Sequence, residues 1–481
     1  MKPKNFILAA ATASIFTYGA LATAGPASAA PTLPLPPPSL QSVRLTSEHV
    51  VRPGVETQIS IHTSPRAVCS LHPERQSDAL HRHRLDADEL GIVRVFARPR
   101  ADMRQAMKLT FDCTREDGTR ATYTSAVRAD SRAPLTDTRS TRLAAAGTAR
   151  PPLRAGAMTL SDKELVARGF SRRPDKLKAP GAYAKWTYIV SHTFTAVTPR
   201  KVRRPDVSFA PVSPLAPRRP GRSSAKPVFD YDSSIWSGAV VSNPQVRFYQ
   251  IQDDWLTPSA GPVPPSIGYA AVAVWAGLDN AGNDLVQTGT DSESWDFYGA
   301  FGTEITFTNY WAWIESLPDV PYGLPNFPVS PGDSISVDIF LADQYGNTTL
   351  SGGDLTPSDD SVWFMIYNLT TGNSYWGTLP RPPAFSGSTA EFVLDRPSSY
   401  DTGVPFALAN FGIVGAHDCY FADTWFGYSS LDYNGTPPYP FSLDNLTMFN
   451  GSNTLASSFT YANLSGAPGG GNELWVWQNY L

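Results

Sequence analysis

In the last 251 residues of this 481-residue chain, His417 is the only histidine and Cys419 the only cysteine. That shortage closes several chemical routes. The usual zinc site needs three protein ligands, and no His-Glu-x-x-His run exists to start one. Gly-x-Ser-x-Gly is absent, and nothing marks partners for His417 in a Ser-His-Asp triad. No Gly-rich phosphate loop joins a strand to a helix. Cys419 reads as a buried small residue rather than a nucleophile. The same stretch holds 25 Asp and Glu. What remains is carboxylate and amide chemistry. A carboxyl group could pass protons to and from water, or a pair such as Asp291 and Glu391 could act as in a glycosidase. No cofactor and no metal is expected.

Charge divides the chain in two. Of the 39 Lys and Arg, 36 lie at or before Lys226, and only Arg247, Arg381 and Arg396 follow. The last 251 residues therefore carry a net −22 and the first 230 a net +18. A domain with almost no cationic partners for its carboxylates loses little when they protonate. The acidic half reads as a protein for acidic surroundings, with the basic half as its electrostatic partner near neutral pH.

The elements that would carry this chemistry follow from the order of segments. Lys2 and Lys4 precede an apolar run from Phe6 to Ala24, and Ala27-Ser28-Ala29 supplies small residues for cleavage after Ala29. This is the layout of a signal peptide over residues 1–29, and it predicts a secreted, extracellular protein. No later run is long enough to span a bilayer. Residues 30–38 are a Pro-rich spacer. Residues 39–130 alternate short apolar segments with polar turns, which predicts a small Ig-like β-sandwich domain. Cys69 and Cys113 fall within its strands, and their pairing as a disulfide would pin its two sheets. Residues 131–228 are rich in Arg, Ala and Pro, as in Arg203-Arg204-Pro205 and Arg218-Arg219-Pro220. Such composition buries little apolar surface and predicts a mobile basic pro-segment or linker. Arg-rich runs also bind nucleic acid, but next to an acidic secreted domain the pro-segment reading is preferred.

From Asp230 onward the pattern is all-β. Eleven of the twelve Trp lie there. Alternating segments include Ala239–Val241, Val246–Ile251, Ala270–Trp275, Ile305–Thr308, Ser334–Leu341, Thr389–Leu394 and Phe406–Phe411, with turns such as Ser330-Pro331-Gly332-Asp333 between them. The fold class expected is a two-sheet antiparallel β-sandwich of the concanavalin or jelly-roll kind. It would span residues 229–440, with a C-terminal extension over 441–481 that has no assigned role. Asn347, Asn368 and Asn434 open Asn-x-Ser/Thr sequons.

Several short runs in this half resemble the eqolisins, the glutamic peptidases. They are Ile235-Trp236-Ser237-Gly238-Ala239-Val240-Val241, Val274-Trp275-Ala276-Gly277-Leu278-Asp279 and Leu285-Val286-Gln287-Thr288-Gly289-Thr290-Asp291. After these come Trp313-Ile314-Glu315-Ser316-Leu317-Pro318, Ser330-Pro331-Gly332-Asp333-Ser334-Ile335, Asn368-Leu369-Thr370-Thr371-Gly372 and Ala390-Glu391-Phe392-Val393-Leu394-Asp395. They occur in family order over about 230–440. The resemblance implies a Gln287/Glu391 catalytic dyad, with Trp275, Asp279, Asp291, Trp313 and Glu315 as cleft and supporting residues. It implies an acid endopeptidase that acts on polypeptide substrates; the opposed charges of the two halves separately predict that it is made as a latent proenzyme. The basic pro-segment would be its intramolecular inhibitor, with a Lys or Arg from 168–226 paired to Glu391. No nucleic-acid partner is expected, and the chain reads as a monomer. Three positions depart from the family pattern: Trp311, Phe392 and the run His417-Asp418-Cys419. The competing readings are a Trp-rich, lectin-like carbohydrate-binding module and a two-carboxylate glycosidase. Gln287 separates them, because only the peptidase needs it.

Overall fold

The computed structural model describes residues 41–44, 49–72, 84–88, 91–100, 102–103, 105–132, 148–149, 157–197, 201–209, 216–217, 228–261, 263–264, 267–279, 284–298, 304–431, 441–449, 455–461 and 471–477. The expected signal peptide, the Pro-rich spacer, the run 218–226 and the Asn434 sequon lie outside them.

Thirteen strands build the sandwich: β1 (Trp236–Ser242), β2 (Phe248–Leu256), β3 (Tyr269–Leu278), β4 (Val286–Tyr298), β5 (Glu304–Ser316), β6 (Ser334–Ala342), β7 (Ser361–Asn368), β8 (Asn373–Pro380), β9 (Thr389–Asp395), β10 (Ile413–Asp423), β11 (Ser442–Phe449), β12 (Leu455–Tyr461) and β13 (Gly471–Trp477). The front sheet runs β5-β4-β3-β9-β1-β11, all antiparallel. The back sheet runs β8-β7-β6-β2-β10. β12 and β13 join β11 to β10 and so link the two sheets along one side. The C-terminal strands are thus part of the sandwich.

Period-2 alternation sends one face of each strand into the shared core. In β6, Ile335, Val337, Ile339 and Leu341 point inward, to meet Val272, Val274, Ala276 and Leu278 of β3. The opposite face of β6 carries Phe340 and Ala342, and it too is buried, under the segment that precedes the sandwich. That second cover explains why several strands read as nearly continuous apolar runs rather than clean alternation.

That segment is a correction to the sequence reading of a mobile 131–228 stretch. Residues 157–197 are folded, with α1 (Asp162–Ala167) and α2 (Pro180–Ser191). Ser161 caps α1 in a reciprocal capping box with Glu164, and Pro180 opens α2. The Arg-rich average hid the apolar positions that matter: Leu165, Val166, Phe170, Trp186, Ile189, Val190 and Phe194 are all buried. Among the described residues, no helix is long and apolar enough to cross a membrane.

The small N-terminal domain has a five-stranded sheet, in the order His49–Val51, Arg120–Ala129, Met107–Thr114, Val68–His72, Arg84–Asp86. A second layer holds Gln41–Arg44, Thr57–His62 and Ile92–Pro99. Cys69 and Cys113 are bonded, but they face each other on neighbouring strands of one sheet. The disulfide therefore staples one sheet rather than pinning two. This domain is also welded to the sandwich. Strand Ile92–Pro99 pairs with β5 from Ile305↔Pro99 to Thr308↔Phe96. Trp295, Phe297, Ile305 and Phe307 of the β4–β5 hairpin complete its core.

Candidate active site

The outer face of the front sheet carries the residues singled out from the sequence, and strand register brings them together. Directly opposed residues on antiparallel neighbours point to the same face. One row across the sheet reads Val240, Glu391, Gly277, Gln287, Glu315. Gln287 and Glu391 thus flank a residue with no side chain. Two strand spacings separate them by roughly 10 Å, enough for a water and a peptide carbonyl. The next row on that face reads Gly238, Val393, Trp275, Gly289, Trp313. A Cβ on Gly289 would lie 2.6 Å from Trp275 Cβ and 3.0 Å from the Trp313 ring, so glycine is what lets the two indoles close over the sheet. A third row holds Trp236, Asp395, Ala273, Asp291 and Trp311.

Gln287, Glu315 and Glu391 are all buried. Gln287 Nε2 donates to Glu315 Oε2 at 2.5 Å. Gln287 Oε1 is buried without a hydrogen-bond partner among the described residues, as is Glu391 Oε2. Glu391 Oε1 accepts from the Thr389 hydroxyl at 3.2 Å. Burial pushes the Glu391 carboxyl well above its usual range, and the nearby charges of Asp279 and Asp284 add to this. Burial also raises Glu315 to about 8, with the Gln287 hydrogen bond pulling the other way. Burial raises Asp291 and Asp395 well above the ordinary carboxylate range as well.

Asp279 and Trp275 act through neighbours. Asp279 sits at φ +74°, just past the end of β3. Its carboxylate accepts from the Ser386 and Ser388 hydroxyls at 2.7 and 2.8 Å and from the Gly387 and Ser388 amides at 3.0 and 3.1 Å. It therefore fixes the turn that leads into β9 and Glu391. Trp275 Nε1 donates to Asp395 Oδ2 at 3.2 Å. The departures from the family pattern are also placed. Phe392 faces the inter-sheet core, away from the dyad. Trp311 Nε1 donates to Glu293 Oε1 at 3.1 Å. Cys419 is buried, with Sγ 3.4 Å from Asp253 Oδ1. Asn368 is buried and donates to Asp333 Oδ2 at 2.8 Å, which leaves its sequon closed to glycosylation.

A strap crosses this face. Residues 202–203 pair with Tyr322–Gly323 beyond β5, and residues 207–208 pair with Ser398–Ser399 beyond β9. Just past the second anchor, Phe209 stacks on Trp313 with ring centroids 3.9 Å apart and planes within 4°. Val207 and Phe209 are buried among Trp236, Trp275, Trp311 and Trp313. The guanidinium of Arg204 lies 4.1 Å over the Trp311 ring and 3.1 Å from Glu293 Oε1, and it also bonds Asp206. The expected pairing of a basic residue with Glu391 is not seen among the described residues; Arg200, Arg218, Arg219, Arg222 and Lys226 lie outside them. No described Lys or Arg forms an ion pair with Glu391; Lys185, Arg203 and Arg204 pair with Asp254, Asp319 and Glu293 instead. Burial favours the uncharged form of Glu391, which weakens its pull on a cation. The strap lays aromatic surface over the indoles. Arg204 belongs to the Arg203-Arg204-Pro205 run of the basic segment, but nothing in the sequence marked Phe209 or Glu293; a lone aromatic in a Pro- and Arg-rich run carries no periodic signal.

The Peptidase A4 family model matches residues 234–426. Aspergillopepsin-2 of Aspergillus niger is 32% identical over 156 residues, covering 30% of this chain and 44% of that protein. The chain thus spans under half the length of this relative. Two solved structures cover 51% of this chain and 98% of their own. Scytalido-glutamic peptidase with a peptide-based transition-state analogue is 20% identical with a TM-score of 0.34, and SCP-B, an eqolisin in complex with the tripeptide Ala-Ile-His, is 19% identical with a TM-score of 0.32. Over residues 234–426 the chain is thus similar to Peptidase A4 proteins, in the stretch that also carries the eqolisin-like runs.

Proposed function

We propose that this protein is a secreted acid endopeptidase, made latent, that cleaves polypeptides through Gln287 and Glu391. The observation that carries the reading is the row Glu391, Gly277, Gln287. It sets a carboxyl and an amide on either side of a gap in a Trp-lined face.

The chemistry follows from the atoms. Once the cleft opens to water, the carboxyl of Glu391 loses part of the burial that holds it protonated. As carboxylate it takes a proton from a water that attacks the scissile carbonyl. As carboxylic acid it returns that proton to the leaving amine. Gln287 has one N–H on Glu315, which leaves its second N–H for the developing oxyanion and Oε1 to accept from the attacking water. Glu315 is a positioning residue that fixes the plane of the Gln287 amide.

Latency has two sources in this arrangement. Phe209 and Val207 fill the space over the indoles, and the dry cleft keeps Glu391 in the acid form, which cannot accept a proton from water. The strap is the inhibitory part of the pro-segment. The test is incubation of the purified full chain with unfolded casein from pH 3 to pH 7, alongside Glu391→Gln and Gln287→Ala. Acid-dependent cleavage that both variants reduce by about 10²-fold or more supports the reading. Undiminished cleavage by Glu391→Gln would end it. Sugar binding without peptide cleavage by the wild type would favour the lectin-like alternative.

A further inference from the structure

The segment ahead of the sandwich covers two opposite faces, and its two parts differ in what they cover. Residues 201–209 lie on the cleft. Residues 157–197 lie on the outer face of the back sheet, away from Gln287 and Glu391. There Phe340, Trp363, Met365 and Tyr367 are buried against side chains such as Phe170 and Trp186. The Tyr367 hydroxyl donates to Gly169 O at 3.1 Å, and Arg172 lies 4.7 Å over the Phe340 ring. Residues 195–196 add a short parallel strand to β8 at Asn373–Ser374.

One buried polar contact fixes the register of α2. Asp254, His417 and Asp418 each offer a ligand atom within 4.8 Å of the others, an arrangement that could hold a cation. The ammonium of Lys185 serves as that cation: Nζ is 2.6 Å from Asp254 Oδ1, with both side chains under a tenth exposed. The groups facing Lys185 are Asp253 and Asp254 from β2, and His417, Asp418 and Tyr420 from β10, with Tyr188 on its own helix.

We infer that residues 157–197 are a permanent part of the working enzyme: cuts on both sides of 201–209 release the strap, while the helical segment stays docked as a separate chain. Each cut adds one water across one peptide bond, giving a carboxylate end and an amine end. Loss of the segment would expose three aromatic rings of the back sheet, roughly 500 Å² of contiguous apolar surface at 150–250 Å² each, which monomeric proteins rarely show outside a binding site. It would also strip Asp253, Asp254 and Asp418 of their buried counter-charge. The strap, in contrast, occupies the space a substrate needs. Only its departure rests on the peptidase reading; retention of the helical segment does not.

The latch also suits an acidic setting. Burial alone would raise Asp418, but the bond from His417 and the charge of Lys185 outweigh it and hold Asp418 below its usual range. Burial alone would lower His417, but Asp418 and Asp254 raise it. A depressed carboxyl stabilises above the unfolded value of about 4, and a raised imidazole stabilises fully below about 6.5. Both contributions overlap between those limits.

The test uses the full chain carrying Glu391→Gln, so that self-cleavage plays no part. Recognition sites for a sequence-specific protease are placed within 133–147, 198–200 and 218–222. After complete cleavage, size-exclusion at pH 5 and intact masses of the sandwich peak report which fragments remain. The fragment containing 157–197 is expected to co-elute with the sandwich and the strap peptide to be lost. A double change, Lys185→Glu with Trp186→Ala, is expected to release the fragment from the cleaved protein. Release of the wild-type fragment, leaving a soluble, monodisperse sandwich, overturns the inference. Retention of both fragment and strap upholds the helical clamp and instead counts against strap departure, and so against the latency reading.

Discussion

Gly277 is a small residue with a large share in the site, because it separates the two side chains proposed to do the chemistry. A Cβ there would meet a Trp275 ring carbon at 2.9 Å, Leu285 Cδ1 at 3.1 Å and Gln287 Cβ at 3.2 Å. Gly277→Ala should therefore displace the Gln287 side chain and lower kcat by more than it lowers thermal stability, measured as casein cleavage against Tm. Equal activity at unchanged Tm would show that the gap has no role. Glu315 allows a finer test. Glu315→Gln keeps the shape but weakens the acceptor for Gln287 Nε2. A hydrogen bond to a neutral group is worth roughly 0.5–1.5 kcal/mol, up to about tenfold in rate. The loss should fall in kcat with KM little changed, and the acid limb of the pH profile should move with it. A change confined to KM would make Glu315 a substrate contact.

At the level of elements, the strap is the part whose removal should be felt first. Phe209→Ala deletes a ring buried against Trp313, a change that costs about 3–5 kcal/mol in a packed core. The uncut Phe209→Ala chain should show measurable acid peptidase activity where the uncut wild type shows little. Arg204→Ala should act in the same direction by leaving Glu293 without its cation. If both variants stay latent until cut, the strap is not what blocks the cleft. The front-sheet strands were legible in the sequence because β9 alternates around Glu391 and β3 is an unbroken apolar run through Trp275. β10 was not: Asp418 adopts φ +59° and the register slips between His417 and Cys419, so the pleat that alternation depends on is broken there. The distal half of the β4–β5 hairpin was legible only in part, at Ile305–Thr308. Trp295, Phe297, Ile305 and Phe307 alternate well, but they serve the core of a different domain. The positions of Gln287 and Glu391 could be read from local runs, while the stacking of Phe209 on Trp313 is a contact across more than a hundred residues.

Across the whole molecule, buried acids set the direction of pH dependence. Glu391, Asp291 and Asp395 are raised well above their usual range, and Glu315 and Asp253 to about 8, all chiefly by burial. The folded chain then binds more protons than the unfolded chain from about pH 4 up to about 8. Stability must fall as pH rises through that window, the reverse of a protein held by ionised carboxylates. The full chain should melt at a higher temperature at pH 5 than at pH 8, by scanning calorimetry at fixed ionic strength. A flat or rising Tm would mean that these groups ionise without cost. The same welding that buries them joins the domains. Trp295→Ala, on the hairpin shared by the two cores, should lower one common transition rather than split the melt in two.

The seam formed by β11, β12 and β13 also has a consequence in time. β1 finds its second neighbour only when residues 442–446 arrive, and the two sheets are linked on that side only when 471–477 arrive. Synthesis runs from the other end, so the strap and the helices exist well before the last strands do. A ribosome delivers the stopper before it finishes the bottle, and the cleft is never complete without something already at hand to close it.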